Sequence, residues 1–484
     1  MKIDCDILFR GGTVIDGTGT PGVAADVAVA GERIVAVGNL RAARARETID
    51  ARGRVVAPGF IDVHTHDDRA LLSNPDMAMK TSQGVTTVVV GNCGVSLSPL
   101  TIDRRPPPPL DLLGDRDWYR FPRMADYMAA VDAAPPAVNA ACLVGHSTLR
   151  VGAMDDLGRP ASPAEIDRMR DGLAEALEAG AIGLSTGLFY RPANAAPTEE
   201  VIALAALLKP AGAIYTTHMR DEADDVMASL EETFRVGREA GVRAIVSHHK
   251  VTGKANFGRS AETLALIERT RAGQDIGLDC YPYIAASTVL DGNRLDRSSR
   301  IMVTWSTPHP EVSGRDLADI AAEWGISQLD AVERLNPAGA IYFMMDEADV
   351  RRILAYPHTI VASDGLPHDA HPHPRLWGTF PRVLGHYVRE VGLFPIEEAV
   401  RRMTGLPAER FGLTGRGAIR AGAFADLTLF DPAAIDDTAT FADPATPARG
   451  IDRVYVNGRA VWRDGAPTGR RPGRLLRRAD LRPA

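Results

Sequence analysis

One stretch decides the fold of this chain: Ala57-Pro58-Gly59-Phe60-Ile61-Asp62-Val63-His64-Thr65-His66. The run is largely apolar until its end, where two histidines stand one residue apart. Because side chains alternate between the two faces of a β-strand, His64 and His66 point to the same face, about 7 Å apart. Two imidazoles in that arrangement can bind one metal ion, and at the mouth of a buried strand they indicate a catalytic site.

The composition is that of an ordinary globular protein. The 484 residues are 45% hydrophobic and 24% charged, so the chain can bury a large core. The net charge of −7 and the pI near 6.0 argue against a nucleic-acid partner, which would call for a basic stripe. No apolar run of about 18 residues predicts a membrane helix, and residues 1–10 do not resemble a signal peptide. A small-molecule partner is expected.

The cysteines predict a cytoplasmic location. Cys5, Cys93, Cys142 and Cys280 are far apart and form no Cys-x-x-Cys pair. A disulfide framework is therefore not expected, and a reducing compartment fits.

Short strands and tight turns occupy both ends of the chain. Strand-like runs in residues 4–37 alternate with glycines, and similar runs begin at Ala425 and Val454, the latter before a turn at Asn457-Gly458. Neither piece looks large enough to bury a two-sided core. We expect one small β-sandwich domain built from residues 1–57 and 417–484; two separate hairpin decorations are the alternative.

Between these ends, strands and helices alternate. Helical patterns cover 163–179, 198–208 and 226–240, among others. The strand-like runs are 60–64, 86–91, 138–144, 181–185, 213–218, 244–248, 276–281 and 359–363. Such alternation predicts an α/β fold, a (β/α)₈ TIM barrel over residues 58–416. An open doubly wound sheet is the alternative, disfavoured because no Gly-x-Gly-x-x-Gly follows the first strand.

Two insertions interrupt the alternation. A long polar loop containing Pro106–Pro109 follows the second strand, and residues 285–345 separate strands seven and eight. A long insertion at this face of a barrel usually shapes or covers the active site, so we expect 285–345 to act as a lid. An oligomer contact is the alternative.

Histidines cluster at the carboxyl ends of the predicted strands, where barrels carry their catalytic residues. Six of the twelve histidines fall there. The strand ends read His64 and His66, Asn92-Cys93-Gly94, Gly145-His146-Ser147, Thr217-His218-Met219-Arg220, Ser247-His248-His249-Lys250 and Ser363-Asp364-Gly365. Scattered core histidines would not select one rim, so the pattern indicates a metal-dependent active site.

These residues carry a resemblance. The Pro-Gly-Phe-Ile-Asp lead-in to His64-x-His66, the strand-five and strand-six histidines and the strand-eight aspartate resemble the amidohydrolase superfamily over almost the whole chain. Many members have a carboxylated lysine on strand four, but Gly183–Gly187 has none. Cys93 in Gly91-Asn-Cys-Gly94, with Thr217–Glu222 and Ser247–Lys250, resembles instead the N-acyl-D-amino-acid deacylases, or D-aminoacylases.

The resemblance implies one tight zinc ion and a second, weaker site. The tight site would use Cys93, His218 and His248; the weaker would use His64, His66 and Asp364, with Cys93 able to bridge. Residue chemistry agrees, because three protein ligands leave zinc an open position and a thiolate favours zinc over magnesium.

For the other histidines and cysteines, a structural role is the alternative to a role in the site. Strand alternation allows either His248 or His249 to face the barrel, and the resemblance selects His248. His146 either lines the pocket or is a hydrogen-bonded structural histidine. Cys142 and Cys280 are expected in the core.

The resemblance also implies the catalytic groups. Asp364 is the candidate general base and acid, which would take a proton from the attacking water and return it to the leaving nitrogen. Tyr190, beyond strand four, is a candidate donor to the developing oxyanion; plain packing is its alternative.

Substrate contacts are expected from four residues and a fifth in the insertion. By resemblance, the substrate α-carboxylate and neighbouring groups are held by Lys250, Tyr281, Ser287 and Arg375; an ordinary surface or loop position is the alternative for each. Arg294 lies in the insertion, where a bidentate arginine would suit a second carboxylate. We therefore expect N-acyl-D-glutamate or N-acyl-D-aspartate to be preferred; the D configuration comes from the resemblance alone.

Two other functions compete with this interpretation. One is a cyclic-amide hydrolase of the dihydroorotase or hydantoinase kind, disfavoured by the missing strand-four lysine. The other is a non-catalytic scaffold of the same fold, which would be expected to have lost its ligands.

Overall fold

A closed parallel barrel forms the body of the molecule. The computed structural model describes residues 4–480; the outermost parts of the predicted terminal pieces, residues 1–3 and 481–484, lie outside it. The barrel strands are Phe60–Asp62, Val85–Val90, Asn139–Gly145, Gly183–Gly187, Ile214–His218, Ala244–Val246, Ile276–Cys280 and Thr359–Val361. Each pairs in parallel with the next, and a parallel bridge between Thr65 and Gly365 joins the first strand to the last. The predicted (β/α)₈ barrel is confirmed, and the open sheet is excluded.

The barrel strands form because their side chains are buried on both faces. All six residues of Val85–Val90 are buried although they include two threonines. Strands enclosed by helices outside and side chains inside read as continuous runs rather than alternating ones. The carboxyl ends of these strands therefore meet at one rim, where the polar residues of the sequence accumulate.

Helices pack around the barrel, and local signals fix several of their ends. Pro163–Ala179 begins at a capping box between Ser162 and Glu165 and ends at Gly180 with φ +119°. The α-helices are Ala70–Ser73, Ala78–Thr81, Met124–Ala133, His146–Ala153, Pro163–Ala179, Arg191–Asn194, Thr198–Ala205, Leu208–Ala211, Val226–Ala240, Ser260–Arg271, Leu317–Trp324, Gln328–Leu335, Glu347–Ala355, Arg375–Arg382, Ile396–Met403 and Gly405–Arg410. A π-helical segment, Val383–Glu390, extends Arg375–Arg382.

Both chain ends build one mixed sheet of nine strands. The strands are Asp4–Val14, Val23–Ala30, Arg33–Gly38, Arg44–Asp50, Val55–Pro58, Leu427–Phe430, Ile451–Val456, Arg459–Arg463 and Ala466–Pro467. Val55–Pro58 pairs antiparallel with Leu427–Phe430, which joins the amino-terminal piece to the carboxyl-terminal one. Because the pieces share strand pairing and one apolar cluster, the terminal β domain is confirmed over separate hairpins.

The segment between the seventh and eighth barrel strands folds on itself. It contains a three-stranded antiparallel sheet of Ala285–Val289, Arg300–Ser306 and Ala338–Phe343, with the middle position taken by Ala338–Phe343. The Pro-rich loop after the second barrel strand carries a short 3₁₀ helix, Leu110–Leu113. Arg105 of this loop donates to the Thr307 hydroxyl at 3.3 Å, so the two insertions touch.

Two further observations concern membrane-spanning helices and the cysteines. Within residues 4–480, no helix is both long and apolar enough to cross a bilayer. The four cysteines are free and buried, with Cys142 and Cys280 in the core as expected.

Candidate active site

The predicted metal ligands gather at the carboxyl rim of the barrel. His218 is the last residue of the fifth strand, whereas the other ligands lie just beyond the ends of theirs. The first strand ends at Asp62 and the sixth at Val246, earlier than expected. The alternation argument for His64 and His66 therefore does not apply directly, yet their rings converge, with centroids 5.9 Å apart.

Three ligand atoms form the first cluster. Cys93 Sγ lies 3.3 Å from His248 Nε2, and His248 Nε2 lies 2.9 Å from His218 Nδ1. All three residues are buried, and their ligand atoms lie within 4.8 Å of one another. One thiol and two imidazoles at these separations fit a three-ligand zinc site with an open fourth position.

Four ligand atoms form a second cluster that shares Cys93. His64 Nε2 lies 3.1 Å from Cys93 Sγ and 3.4 Å from Asp364 Oδ1. His66 Nε2 lies 3.2 Å from the same carboxylate oxygen. The structure thus brings together all six residues expected to bind metal, and the Cys93 thiol belongs to both clusters.

Three of these residues have left-handed backbone conformations that side chains rarely adopt. The φ angles of Cys93, His248 and Asp364 are +52°, +36° and +50°. Such conformations cost free energy and persist where the surrounding contacts impose them, often at functional sites. The Asp364 amide donates to the His64 carbonyl oxygen at 2.8 Å, which is one of those contacts.

Asp279 organises both clusters and was missed by sequence reasoning. Its Oδ1 accepts from the His248 amide at 2.8 Å and lies 3.2 Å from His64 Nδ1. A carboxylate on the outer ring nitrogen fixes the orientation of a metal-binding histidine and leaves Nε2 for the ion. The signal was available, since Asp279 is a charged residue in the otherwise apolar strand Ile276–Cys280.

Glu222 orients a histidine of the first cluster through the same kind of contact. Its Oε1 lies 3.0 Å from His248 Nδ1 and 2.7 Å from Lys250 Nζ. This buried carboxylate therefore contacts both a metal ligand and a predicted substrate-binding lysine. Sequence reasoning quoted Glu222 within its motif but gave it no role.

A buried network of ion pairs and hydrogen bonds holds the residue next to Asp364. Lys80 Nζ donates to Asp62 Oδ2 at 2.8 Å and to the Ser363 hydroxyl at 2.9 Å, and lies 3.4 Å from Asp67. The Ser363 amide in turn donates to Asp62 Oδ1 at 2.9 Å. Asp62 of the first strand therefore fixes the residue that precedes Asp364.

The electrostatics favour ionised ligands. Burial opposes ionisation of Cys93, but His64 and His248 outweigh it and hold the pKa of the thiol well below its usual value. Burial likewise opposes ionisation of Asp364, yet Arg375 and His64 hold its pKa well below the ordinary range. Since a thiolate is the form that binds metal, the residues present fit a zinc ion.

A small cavity opens over the metal ligands. Lys250, Tyr281 and Ser287 line it, and the Tyr281 and Ser287 hydroxyls have no hydrogen-bond partner among the described residues. Arg375 lies beside them, with its guanidinium 4.5 Å from the Tyr281 ring centroid and its Nη2 2.9 Å from Asp364 Oδ2. The four predicted α-carboxylate contacts are therefore adjacent.

Arg294 lines the same cavity from the insertion. Its guanidinium stacks 4.4 Å from the Phe189 ring centroid and 5.2 Å from that of Tyr342, and Nη1 contacts Met344 Sδ at 3.7 Å. The residue is 7% exposed, and its Nε has no hydrogen-bond partner among residues 4–480. Arg294 is therefore a buried cation in contact with two aromatic rings and a thioether.

The remaining predicted residues divide between the site and the scaffold. The Tyr190 hydroxyl lies 3.0 Å from Thr288 Oγ1, and its ring centroid is 4.9 Å from that of His218, so it lines the cavity. His249 Nε2 instead pairs with Thr263 Oγ1 at 2.9 Å, away from the ligands. His146 Nε2 lies 2.9 Å from Glu200 Oε1 and is a structural histidine.

Comparison with known proteins is consistent with this geometry. Residues 47–255 and 312–462 match the model of the amidohydrolase family. Three relatives from Alcaligenes xylosoxydans xylosoxydans cover almost the whole chain. They are a D-aminoacylase, 59% identical over 98% of both chains; an N-acyl-D-aspartate deacylase, 53% identical over 99% of this chain and 96% of its own; and an N-acyl-D-glutamate deacylase, 50% identical over 99% and 98%.

Solved structures agree with the fold in detail. A crystal structure of D-aminoacylase superposes with a TM-score of 0.96 at 58% identity, covering 98% of this chain and 100% of its own. The N-acyl-D-glutamate deacylase of Bordetella bronchiseptica, complexed with zinc and a phosphonate mimic of the tetrahedral intermediate, superposes with a TM-score of 0.95 at 49% identity and the same coverage. The family match and these relatives show that the chain belongs to the amidohydrolase family, in the group of the D-aminoacylases and N-acyl-D-amino-acid deacylases.

Proposed function

We propose that this protein is a zinc-dependent hydrolase that cleaves the amide bond of N-acyl-D-amino acids, releasing a carboxylate and a free D-amino acid. One observation carries the proposal: six buried metal ligands converge beneath a cavity lined by cations and unpaired hydroxyls. The linear-amide substrate and the D configuration rest on relatives at 50–59% identity that span the chain.

The tight zinc would be held by Cys93, His218 and His248, and a weaker ion by His64, His66 and Asp364 with Cys93 as bridge. D-aminoacylase has a binuclear centre described as activated by one metal and attenuated by the second. When bound, zinc supplies Lewis-acid polarisation of the scissile carbonyl and lowers the pKa of a water molecule.

Asp364 acts as the proton shuttle in this proposal. Its carboxylate, paired with Arg375 at 2.9 Å, accepts a proton from the attacking water as the oxygen–carbon bond forms. The same carboxyl then protonates the nitrogen as the carbon–nitrogen bond breaks, which yields a neutral amine. Tyr190 keeps its proton, because burial raises the pKa of its phenol, and it donates to the developing oxyanion.

Lys250, Tyr281, Ser287 and Arg375 position the substrate by its α-carboxylate. Lys250 already contacts Glu222, so the lysine is oriented before substrate arrives. The unpaired hydroxyls of Tyr281 and Ser287 supply donors that a carboxylate would satisfy. Fixed donors reduce the ordering needed on binding, which favours productive orientation.

Arg294 gives the proposed preference for an acidic side chain. It is buried, and its guanidinium contacts aromatic rings and a thioether rather than a carboxylate of the described residues. A D-glutamate or D-aspartate side chain would provide that partner.

We further propose that residues 285–345 form the lid of a barrel spanning 58–416, beside a β domain of 1–57 and 417–484. Arg294, Ser287 and Thr288 of the insertion line the cavity, which supports this role. The buried free cysteines and the net charge of −7 support a cytoplasmic enzyme of small molecules without membrane or nucleic-acid partners.

A substrate panel tests the function. Purified zinc-loaded enzyme would be assayed for free amino acid with N-acetyl-D-glutamate, N-acetyl-D-methionine and N-acetyl-L-glutamate, and for ring opening with a hydantoin and dihydroorotate. The proposal expects turnover of the D substrates alone. Ring opening without D-amino-acid release would favour a cyclic-amide hydrolase, and no turnover with full zinc loading would favour a scaffold.

A further inference from the structure

The active-site cavity has one apolar corner. Most of its lining consists of metal ligands, hydroxyls and charged groups, but five lining residues carry no polar side-chain atom. Ala286 belongs to the insertion strand Ala285–Val289, and the other four follow the second and eighth barrel strands. They are Val95, Pro109, Leu112 and Leu366. All four are buried.

Two of these residues closely follow predicted metal ligands in the chain. Val95 follows Cys93 by two residues, and Leu366 follows Asp364 by two. Lys250 and Glu222 adjoin His248, whereas Arg375 contacts Asp364, the ligand that Leu366 follows in the chain.

The acyl group is the one part of the proposed substrate that still lacks a partner. The α-carboxylate, the amino-acid side chain and the scissile carbonyl are assigned to polar groups above. An acyl chain is apolar and gains free energy by leaving water for apolar surface. We propose that Val95, Pro109, Leu112 and Leu366 bind the acyl group and that Leu112 limits its length. This inference rests on the proposed function and adds its acyl specificity.

Leu112 is suited to that role because it separates two spaces. It lines the active-site cavity and also a larger neighbouring cleft, and it is the one residue common to the two linings. The cleft is otherwise lined by residues that include Arg69, Trp305 and Asp369. The Leu112 side chain is thus a partition, with the short acyl pocket on one side and open space on the other.

Core packing and a contact with the insertion hold the loop that carries Leu112 in place. Leu112 belongs to the 3₁₀ helix Leu110–Leu113, whose other two leucines are fully buried in the core. The contact between Arg105 and Thr307 ties this loop to the insertion. The Leu112 side chain is therefore fixed in position, and the wild-type enzyme should favour acetyl over longer straight-chain acyl groups.

The experiment compares kcat/KM for N-hexanoyl-D-glutamate and N-acetyl-D-glutamate as a ratio. One methylene too many in a fitted apolar pocket reduces kcat/KM by about tenfold or more, so the wild-type ratio should be low. Leu112→Ala removes the partition and should raise the ratio at least about tenfold. Leu113→Ala is the matched control, since it removes the same atoms from the same short helix but lines neither space; its ratio should equal that of the wild type.

The outcomes separate this inference from the proposed function. Wild-type enzyme that hydrolyses no N-acetyl-D-amino acid refutes the proposed function. Wild-type enzyme that cleaves both acyl lengths equally, or an unchanged ratio in folded Leu112→Ala, overturns the inference alone. If Leu112→Ala does not fold by circular dichroism, Leu112→Val with the N-butyryl substrate gives the same test: a raised ratio supports the partition and an unchanged one rejects it.

Discussion

Replacing Arg294 with alanine tests how the enzyme recognises the substrate side chain. The guanidinium lies between the Phe189 and Tyr342 rings and contacts Met344, and its Nε has no partner within the described protein. The variant would remove the buried cation that we expect to pair with a D-glutamate side chain. It leaves Lys250, Tyr281, Ser287 and Arg375 in place for the α-carboxylate.

The expected effect follows from the kind of bond that is lost. A hydrogen bond to a charged partner contributes about 1.5–3 kcal/mol. Each 1.4 kcal/mol corresponds to about tenfold, so kcat/KM for N-acetyl-D-glutamate should fall roughly tenfold to a hundredfold. Burial of Arg294 makes the upper part of that range reasonable, since solvent screens the pair little.

The assay measures kcat/KM of wild type and Arg294→Ala on N-acetyl-D-glutamate and N-acetyl-D-methionine. The neutral substrate serves as the control, because it has no carboxylate for Arg294 and its turnover should change little. Equal losses on the two substrates would mean that Arg294 is structural. A wild type that prefers the neutral substrate would refute acidic specificity and leave a general deacylase.

Three further substitutions probe the site. Cys93→Ala should lose both tight zinc and turnover, because the thiol belongs to both ligand clusters; retained stoichiometric zinc by elemental analysis with full activity would disprove the assignment. Asp364→Asn should keep the tight zinc, which has three other ligands, while kcat falls at least ~10²-fold; near-normal kcat would remove Asp364 from the mechanism. Lys80→Met should lower the free energy of unfolding by about 3–5 kcal/mol in denaturant titration, because it leaves the buried carboxylates of Asp62 and Asp67 without their cation. An unchanged unfolding midpoint would show that the network adds no stability.

The barrel could be predicted from sequence because short buried runs alternate along the chain with amphipathic helices. Pro163–Ala179 and Val226–Ala240 have the predicted bounds. Strand ends were less predictable: the first and sixth strands stop two residues before His64 and His248. A local pattern does not contain the tertiary hydrogen bonds that turn the chain out of the sheet at those points.

The candidate site was predictable in its ligands and less so in its supports. Histidines at one rim are a strong pattern, and the structure places them together. The role of Asp279 depends on two contacts with residues 31 and 215 positions away, which no spacing rule encodes. Leu112 shows the same limit, since only the packed structure reveals that one leucine of a loop borders two spaces.

Chiral analysis of the amino acid released from racemic N-acetylglutamate, with and without prior removal of zinc, tests the central claim most directly. The account predicts that the zinc-loaded enzyme releases D-glutamate and leaves the N-acetyl-L isomer intact. It also predicts that the chelated enzyme releases neither isomer and recovers D-specific activity when zinc is restored. Release of L-glutamate, or D-glutamate release that persists in fully metal-free enzyme, would contradict it.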